Sequence, residues 1–161
     1  MREKRGQHIL GMPFGVIFSI FLIIVFIVIA FIAIGHFLDI GKCGKIGQFY
    51  DKLQAGVREA HFSQESNVLF EPDLPSGIEQ ICFGNLSKEI TNQEAYNQIE
   101  IYKQGDNIFL LPQNEACEMS NNQIRYLNIS KMIEQENPYC LPVESFNIKK
   151  GFYSGVVIEE Q

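Results

Sequence analysis

One long stretch of the chain has no charged residue, and this stretch limits what the rest can fold into. Between Ile9 and Leu38 there is no Asp, Glu, Lys or Arg. Its central part, Phe14 to Gly35, would cross a hydrocarbon core of roughly 30 Å as a helix rising about 1.5 Å per residue. Ser19 is the only polar side chain in this part, and a helix can bond that hydroxyl to its own backbone. The stretch predicts a transmembrane helix over residues 9–38.

Two alternatives to a retained membrane anchor can be weighed from the same stretch. A core helix of a soluble protein is disfavoured, because the rest of the chain is too small to bury so long an apolar run. The apolar region of a cleaved secretory signal is about 7–15 residues long, roughly half the length of this run. The segment around Ala30 and Ala33 also matches a small-x-small cleavage site poorly. We therefore predict a retained anchor.

The charges on the two sides of the anchor predict its orientation. Both flanks of the span are basic: residues 1–8 carry three basic residues against one acidic, while residues 39–59 carry four against three and residues 39–161 as a whole carry ten against eighteen. Basic residues near a span favour the cytoplasmic side, so we expect a cytoplasmic tail over residues 1–8 and an extracytoplasmic body in the cell membrane. The lipid bilayer is then the expected partner. The acidic body argues against nucleic acid, because binding phosphates needs clustered cations.

The cysteines indicate the compartment. Four widely spaced cysteines are present, and no two form the CxxC pair that zinc sites commonly use: Cys43, Cys82, Cys117 and Cys140. In a small domain this usage predicts two disulfides and an oxidising compartment, with free buried thiols as the alternative. Three pairings are possible, and pairing of sequence neighbours, Cys43 with Cys82 and Cys117 with Cys140, is the simplest expectation.

Two tripeptides in the body match the acceptor pattern for N-glycosylation. They are Asn85-Leu-Ser87 and Asn128-Ile-Ser130. Asn85 and Asn128 are therefore candidate modification sites if the body lies outside the cytoplasm.

An amphipathic helix is predicted directly after the membrane span, over residues 39–63. Apolar residues recur at helical spacing, and polar residues occupy the other side: Ile46, Phe49, Leu53, Val57 and Ala60 against Gln48, Asp51, Lys52, Arg58 and Glu59. We expect the apolar stripe to pack on the following domain. Three glycines lie at the start of this segment, and the helix could either continue from the anchor or break there: Gly41, Gly44 and Gly47.

Residues 64–161 read as a mostly antiparallel β-sheet head. Short apolar runs alternate with turn residues and predict strands over 78–83 and 123–128, with a short helix or loop over 129–136. Two hairpins are predicted, one joining 98–102 to 107–111 and one joining 145–148 to 153–159. The expected fold class is thus α+β, with one transmembrane helix, an amphipathic extension and a β-rich head.

Histidine is missing from the head sequence. Three histidines occur, and none follows Phe62: His8, His36 and His61. Nucleophilic triads and histidine metal sites are therefore not expected there. We read His36 as a residue of the membrane edge and His61 as solvent-facing. The carboxylates stand in polar surroundings, so we expect no catalytic residue, no cofactor and no metal, and no enzymatic activity.

A short motif before the apolar run carries a resemblance to a known family. Lys4-Arg5-Gly6-Gln7, followed by a long apolar helix, resembles the class III signal peptide of archaeal pilins and archaellins. The resemblance implies cleavage between Gly6 and Gln7 by a membrane aspartic peptidase, and packing of the apolar helix with like subunits as a filament core. Many pilins carry glutamate at the fifth mature position, where this chain has Gly11. The chain is also similar to small single-span membrane proteins common in archaeal genomes.

Two functions follow as hypotheses. The first is a membrane-anchored extracytoplasmic protein with a structural or adhesive role, as a pilin-like subunit. The second is an accessory subunit of a membrane protein complex, held by helix contacts in the bilayer at which Gly11, Gly15 and Gly35 permit close approach.

Overall fold

The computed structural model describes residues 11–161, with side chains for all of these except residues 11–13, 38 and 39. The described chain divides between Ile40 and Gly41 into two compact units. The fold class is α+β, with a long apolar N-terminal helix followed by a mostly antiparallel β region, so this prediction is confirmed.

Helix α1 spans Gly11–Phe62 and continues through Gly41, Gly44 and Gly47 without a break. Within the first unit, the side chains of residues 14–37 are apolar on every side and almost all exposed. We call residues 14–37 the anchor segment. Its single hydroxyl, on Ser19, donates to the carbonyl of Gly15 at 2.8 Å, as predicted.

The second unit is built around the last turns of α1. The five residues of the predicted apolar stripe are almost completely buried, whereas the five polar residues predicted opposite them are exposed. We call residues 46–60 the core segment. The prediction of an amphipathic helix packed on the following domain is confirmed, and the stripe forms one continuous cluster with side chains from both sheets.

Two antiparallel sheets make up the head, whose elements after α1 are β1 Ser66–Phe70, β2 Gln80–Phe83, α2 Gln93–Asn97, β3 Ile108–Leu111, β4 Asn121–Asn122, α3 Ile129–Met132, β5 Tyr139–Pro142, β6 Phe146–Lys150 and β7 Val157–Glu160. The three-stranded sheet has the order β1-β6-β7, and the four-stranded sheet has the order β4-β3-β2-β5. The predicted hairpin around Gly151 is confirmed as the β6–β7 pair.

Strands β2 and β3 are buried on both faces, which explains their unbroken apolar sequences. Ile81 and Leu110 point into the cluster formed with α1. Cys82 and Phe109 point the opposite way, into a second cluster with Ala95 of α2. Side chains alternate between the faces of a strand, so the four-stranded sheet is covered by α1 on one side and by α2 on the other.

Two predicted strands are wrong. Residues 98–102 are not a strand, because the side chain of Gln113 occupies the position of a partner strand: it accepts from the backbone N–H groups of Glu100 at 2.9 Å and Ile101 at 3.0 Å and donates to the Ile101 carbonyl at 3.0 Å. Residues 123–128 form only a bridge between Leu127 and Val156.

Candidate functional site

The anchor segment presents the most unusual surface of the molecule. An 18-residue window of the helix has a mean hydropathy of 3.5, none of it is buried, and the helix is long and apolar enough to cross a membrane. Phe14 and Phe26 are 73% and 67% exposed. A soluble monomer rarely exposes so large a continuous apolar surface, so lipid or other apolar helices would have to cover it.

Glycine interrupts this surface at two described positions. A Cβ added at Gly15 or at Gly35 would meet no heavy atom within 4 Å. Another helix could therefore approach the backbone closely at these two points. Gly11 is the first residue of α1, and its surroundings are not described. The predicted processing residues Gly6 and Gln7 lie outside the described residues.

All four cysteines form disulfides, and the expected pairing of sequence neighbours is wrong. Cys43 pairs with Cys117, with their Cα atoms 5.6 Å apart, and Cys82 pairs with Cys140, with their Cα atoms 4.0 Å apart. Cys82 and Cys140 lie directly opposite each other on β2 and β5, so strand register decides their pairing. Two disulfides favour an oxidising compartment.

The Cys43–Cys117 disulfide fastens α1 to the loop that precedes β4. Cys117 and Glu118 both adopt positive φ angles, 51° and 60°, where side chains are normally disfavoured. Next to them, the Tyr50 hydroxyl donates to the Met119 carbonyl at 2.8 Å. Burial raises the pKa of Tyr50 well above its ordinary value, with a smaller contribution from the charge of Asp106. The phenol therefore stays protonated and keeps donating this bond.

The two glycosylation tripeptides lie near each other but in different local structures. Asn85 follows β2 in a turn, and its side-chain oxygen accepts from the backbone N–H of Ser87 at 3.0 Å. Asn128 is the N-cap of α3, and its side-chain oxygen accepts from Lys131 at 3.2 Å. Lys88 donates to the Ser130 hydroxyl at 3.0 Å and so connects the two segments. Both asparagines are half-buried.

Asn137 organises the loop that carries Asn85, and sequence reasoning missed it. Its side chain is almost fully buried, donates to the carbonyls of Asn85 at 3.0 Å and Glu89 at 2.8 Å, and accepts from the N–H of Asn85 at 3.2 Å. Its backbone carbonyl accepts from the N–H groups of Thr91 and Asn92. No local pattern in the sequence distinguishes Asn137 from the other asparagines, because its partners are more than 40 residues away.

His61 is not simply solvent-facing, as the sequence predicted. Its ring is half-buried and stacks on the ring of Tyr126, with centroids 4.4 Å apart. The ammonium of Lys150 donates to the carbonyls of His61 and Ser63 at the end of α1, where a positive charge also interacts favourably with the negative end of the helix dipole. These contacts give His61 a role in packing, whereas His36 is exposed at the end of the anchor segment.

The charged groups of the head are at its surface. Among the described residues, two ion pairs are formed, Lys45–Asp73 at 2.9 Å and Lys149–Glu159 at 2.8 Å. The Lys45 ammonium, which also donates a hydrogen bond, lowers the pKa of the Asp73 carboxyl below its ordinary value. Among the described residues, no three His, Cys, Asp or Glu side chains come together as a metal site would require.

No family model, curated protein or solved structure matches the chain.

Proposed function

We propose that the protein is a single-pass membrane protein with a structural role, a pilin-like subunit whose head lies outside the cytoplasm. The proposal rests above all on helix α1. One part of this helix exposes apolar side chains on every side, and another part supplies the buried stripe on which both sheets of the head pack.

The apolar surface supports association with like subunits as well as with lipid. Lipid tails are as apolar as the anchor segment, so helix contacts in the bilayer depend on close packing rather than on the hydrophobic effect. Gly15 and Gly35 leave room for such packing. The two disulfides support an oxidising location for the head, and the basic residues before the span support a cytoplasmic N-terminus.

Mass spectrometry of the N-terminus tests the pilin-like branch of the proposal. The mature chain is expected to begin at Gln7, and substitution of Gly6→Val is expected to leave the precursor uncleaved. Gly11→Ala serves as the matched control, since it alters a glycine beyond the cut. A mature protein that still begins at Met1 or Arg2 would contradict this branch.

Cross-linking tests the partner. A cysteine introduced as Ile20→Cys in the anchor segment is expected to give covalent dimers of this chain when membranes are oxidised. Lys52→Cys, on the exposed face of the core segment, is the control. Stoichiometric copurification of a different protein in mild detergent, without dimers through position 20, would instead support an accessory subunit of a membrane complex.

A further inference from the structure

Both acceptor tripeptides have an asparagine whose side-chain amide nitrogen is not fully buried. Neither Asn85 nor Asn128 uses its side-chain nitrogen as a donor to another described residue. Every buried side-chain nitrogen or oxygen in the described residues has a hydrogen-bond partner, so both unbonded nitrogens reach solvent. The choice between the two sites is therefore made by the backbone around them.

The segment of Asn85 lies outside regular secondary structure, in a turn in which Leu86 packs on the core and Ser87 is exposed. Leu86 and Ser87 form a turn outside the sheets, and Ser87 is exposed with its hydroxyl uncommitted among the described residues. The bond from the Ser87 N–H holds the carboxamide oxygen of Asn85, and the carboxamide nitrogen makes no hydrogen bond to a described residue. Asn137 fixes the Asn85 backbone from below, so the turn projects from a firm base.

The segment of Asn128 is held on all three residues. The N–H of Asn128 donates to the Val156 carbonyl at 2.7 Å, and its side-chain oxygen caps α3. Ser130 lies inside α3 and its hydroxyl accepts from Lys88. A Cβ added at Gly155 would lie 2.8 Å from the Asn128 Cβ, so the chain passes tightly over this side. An enzyme could bind this tripeptide only after α3 and the bridge to Val156 had opened.

We propose that the folded head is N-glycosylated at Asn85 and not at Asn128. The donor is a saccharide carried on a lipid phosphate. The side-chain nitrogen of Asn85 bonds to the anomeric carbon as the bond from that carbon to the phosphate oxygen breaks. The lipid phosphate leaves with the electron pair, and the nitrogen loses one proton to a base of the transferase. The inference rests on the proposed extracytoplasmic location of the head.

A cleft beside Asn85 offers space for the first sugar. It encloses about 340 Å³ and is lined by the turn at 84–87, by residues 102–107 and by Ile129. Tyr102, 46% exposed, presents an aromatic ring at its wall, and Asp106 and Lys103 add polar groups. An attached saccharide is expected to rest in this cleft, between the two tripeptides.

The test uses the full chain with an Asn-Ala-Thr extension after Gln161, produced in cells with an N-glycosyltransferase and a lipid-linked saccharide. Trypsin separates the sites, because Asn85 falls in peptide 59–88 and Asn128 in peptide 126–131. Mass spectrometry is expected to find the saccharide on the first peptide and on the extension. N85Q and S87A are each expected to abolish the first mass shift, whereas N128Q and S130A leave it unchanged.

The outcomes separate this inference from the proposed location. Modification of the extension without modification of Asn85, or equal modification of Asn128, would overturn the inference and leave the location standing. An unmodified extension would overturn the location and with it the inference. Synthetic peptides 82–91 and 125–134 should be modified alike by the same enzyme, and failure of the second peptide alone would show that local sequence, not folding, makes the choice.

Discussion

Residues 14–37 and residues 46–60 belong to the same helix, yet they leave their apolar side chains in opposite situations. In the anchor segment Ile23 is 58% exposed, whereas in the core segment Leu53 is completely buried. The anchor segment has no polar face, while the core segment carries charged residues along one side. A helix apolar on all sides requires an apolar solvent, and a helix with a single apolar stripe requires one partner surface.

The number of apolar residues in a helix does not by itself determine the environment that the helix requires. The distribution of polar residues around the helix determines it. The anchor segment can satisfy its backbone in lipid without any contact from the head, because a helix bonds all its own interior peptide groups. The core segment depends on the sheets, and the sheets depend on it. Substitutions in the two segments should therefore affect different measurements.

The largest effect is expected from charges placed in the anchor segment. Ile24→Asp combined with Val28→Asp should oppose membrane insertion by about 6 kcal/mol, at roughly 3 kcal/mol for each carboxylate near the centre of a span. Flotation of membranes on a density gradient is expected to show the chain released or not inserted. Ile24→Leu with Val28→Leu is the control and should float as the natural chain does. Continued flotation of the charged variant would contradict a spanning role.

Removal of the Cys43–Cys117 disulfide should destabilise the head without releasing the chain from membranes. The two cysteines are 74 residues apart, and closing a loop of that length stabilises a fold by about 4 kcal/mol in the chain-entropy model. Urea unfolding of Cys43→Ser with Cys117→Ser in detergent measures the loss. An unchanged unfolding midpoint would mean that this disulfide does not restrain the unfolded chain.

Leu53→Ala should lower the free energy of unfolding of the head by about 3 kcal/mol, because it removes buried methyl groups and leaves a cavity. Ile23→Ala in the anchor segment is the matched control, and it should change head stability by less than about 0.5 kcal/mol. Equal losses at the two positions would erase the distinction between the segments.

Two glycines of α1 are expected to respond differently to substitution by alanine. Gly44→Ala should stabilise the head by up to about 1 kcal/mol, since alanine favours helix and the added Cβ would meet nothing within 4 Å. Gly56→Ala should gain less or lose stability, because its Cβ would lie 3.0 Å from the Cδ1 of buried Ile148. Thermal unfolding followed by circular dichroism measures both, and destabilisation by Gly44→Ala would imply that the helix needs flexibility there.

The smallest effect concerns pH. Lys45 lowers the pKa of Asp73 in the folded state, so the ion pair stabilises the head above the ordinary carboxyl pKa and ceases to do so as pH falls through the lowered value. The natural chain should therefore be slightly more stable than Asp73→Asn at neutral pH and equal to it in strong acid. Because both groups are exposed, added salt should also reduce the difference. A difference that grows on acidification would contradict this assignment.

Local sequence patterns predicted those parts of the fold that can be recognised without knowing which distant residues they contact. The spacing of Ile46, Phe49 and Leu53 indicates a buried stripe whatever covers it, and the structure confirms burial. The turn at Gly151 predicts the β6–β7 pair because both strands are close in sequence. The absence of charge across the anchor segment likewise predicts an apolar helix without any information about the head.

Features that depend on distant partners could not be read from the sequence. Cys82 meets Cys140 because β2 and β5 are neighbours in the sheet, which sequence spacing does not reveal. Residues 98–102 have an alternating strand-like pattern, but the side chain of Gln113 satisfies their backbone instead of a strand. Asn137 acts on a loop far away along the chain. Each of these features is determined by tertiary contacts between residues that are distant in the sequence.

The Cys43–Cys117 disulfide has a mechanical consequence. A pulling force applied to the chain at Ile40 passes through Cys43 and then directly across the sulfur–sulfur bond to Cys117. Residues 44–116, which include the core segment, β1, β2 and β3, lie outside this load path. Tension on the anchor segment therefore enters the rest of the head at Cys117 through covalent bonds, and it does not have to be carried by the contacts between the core segment and the sheets.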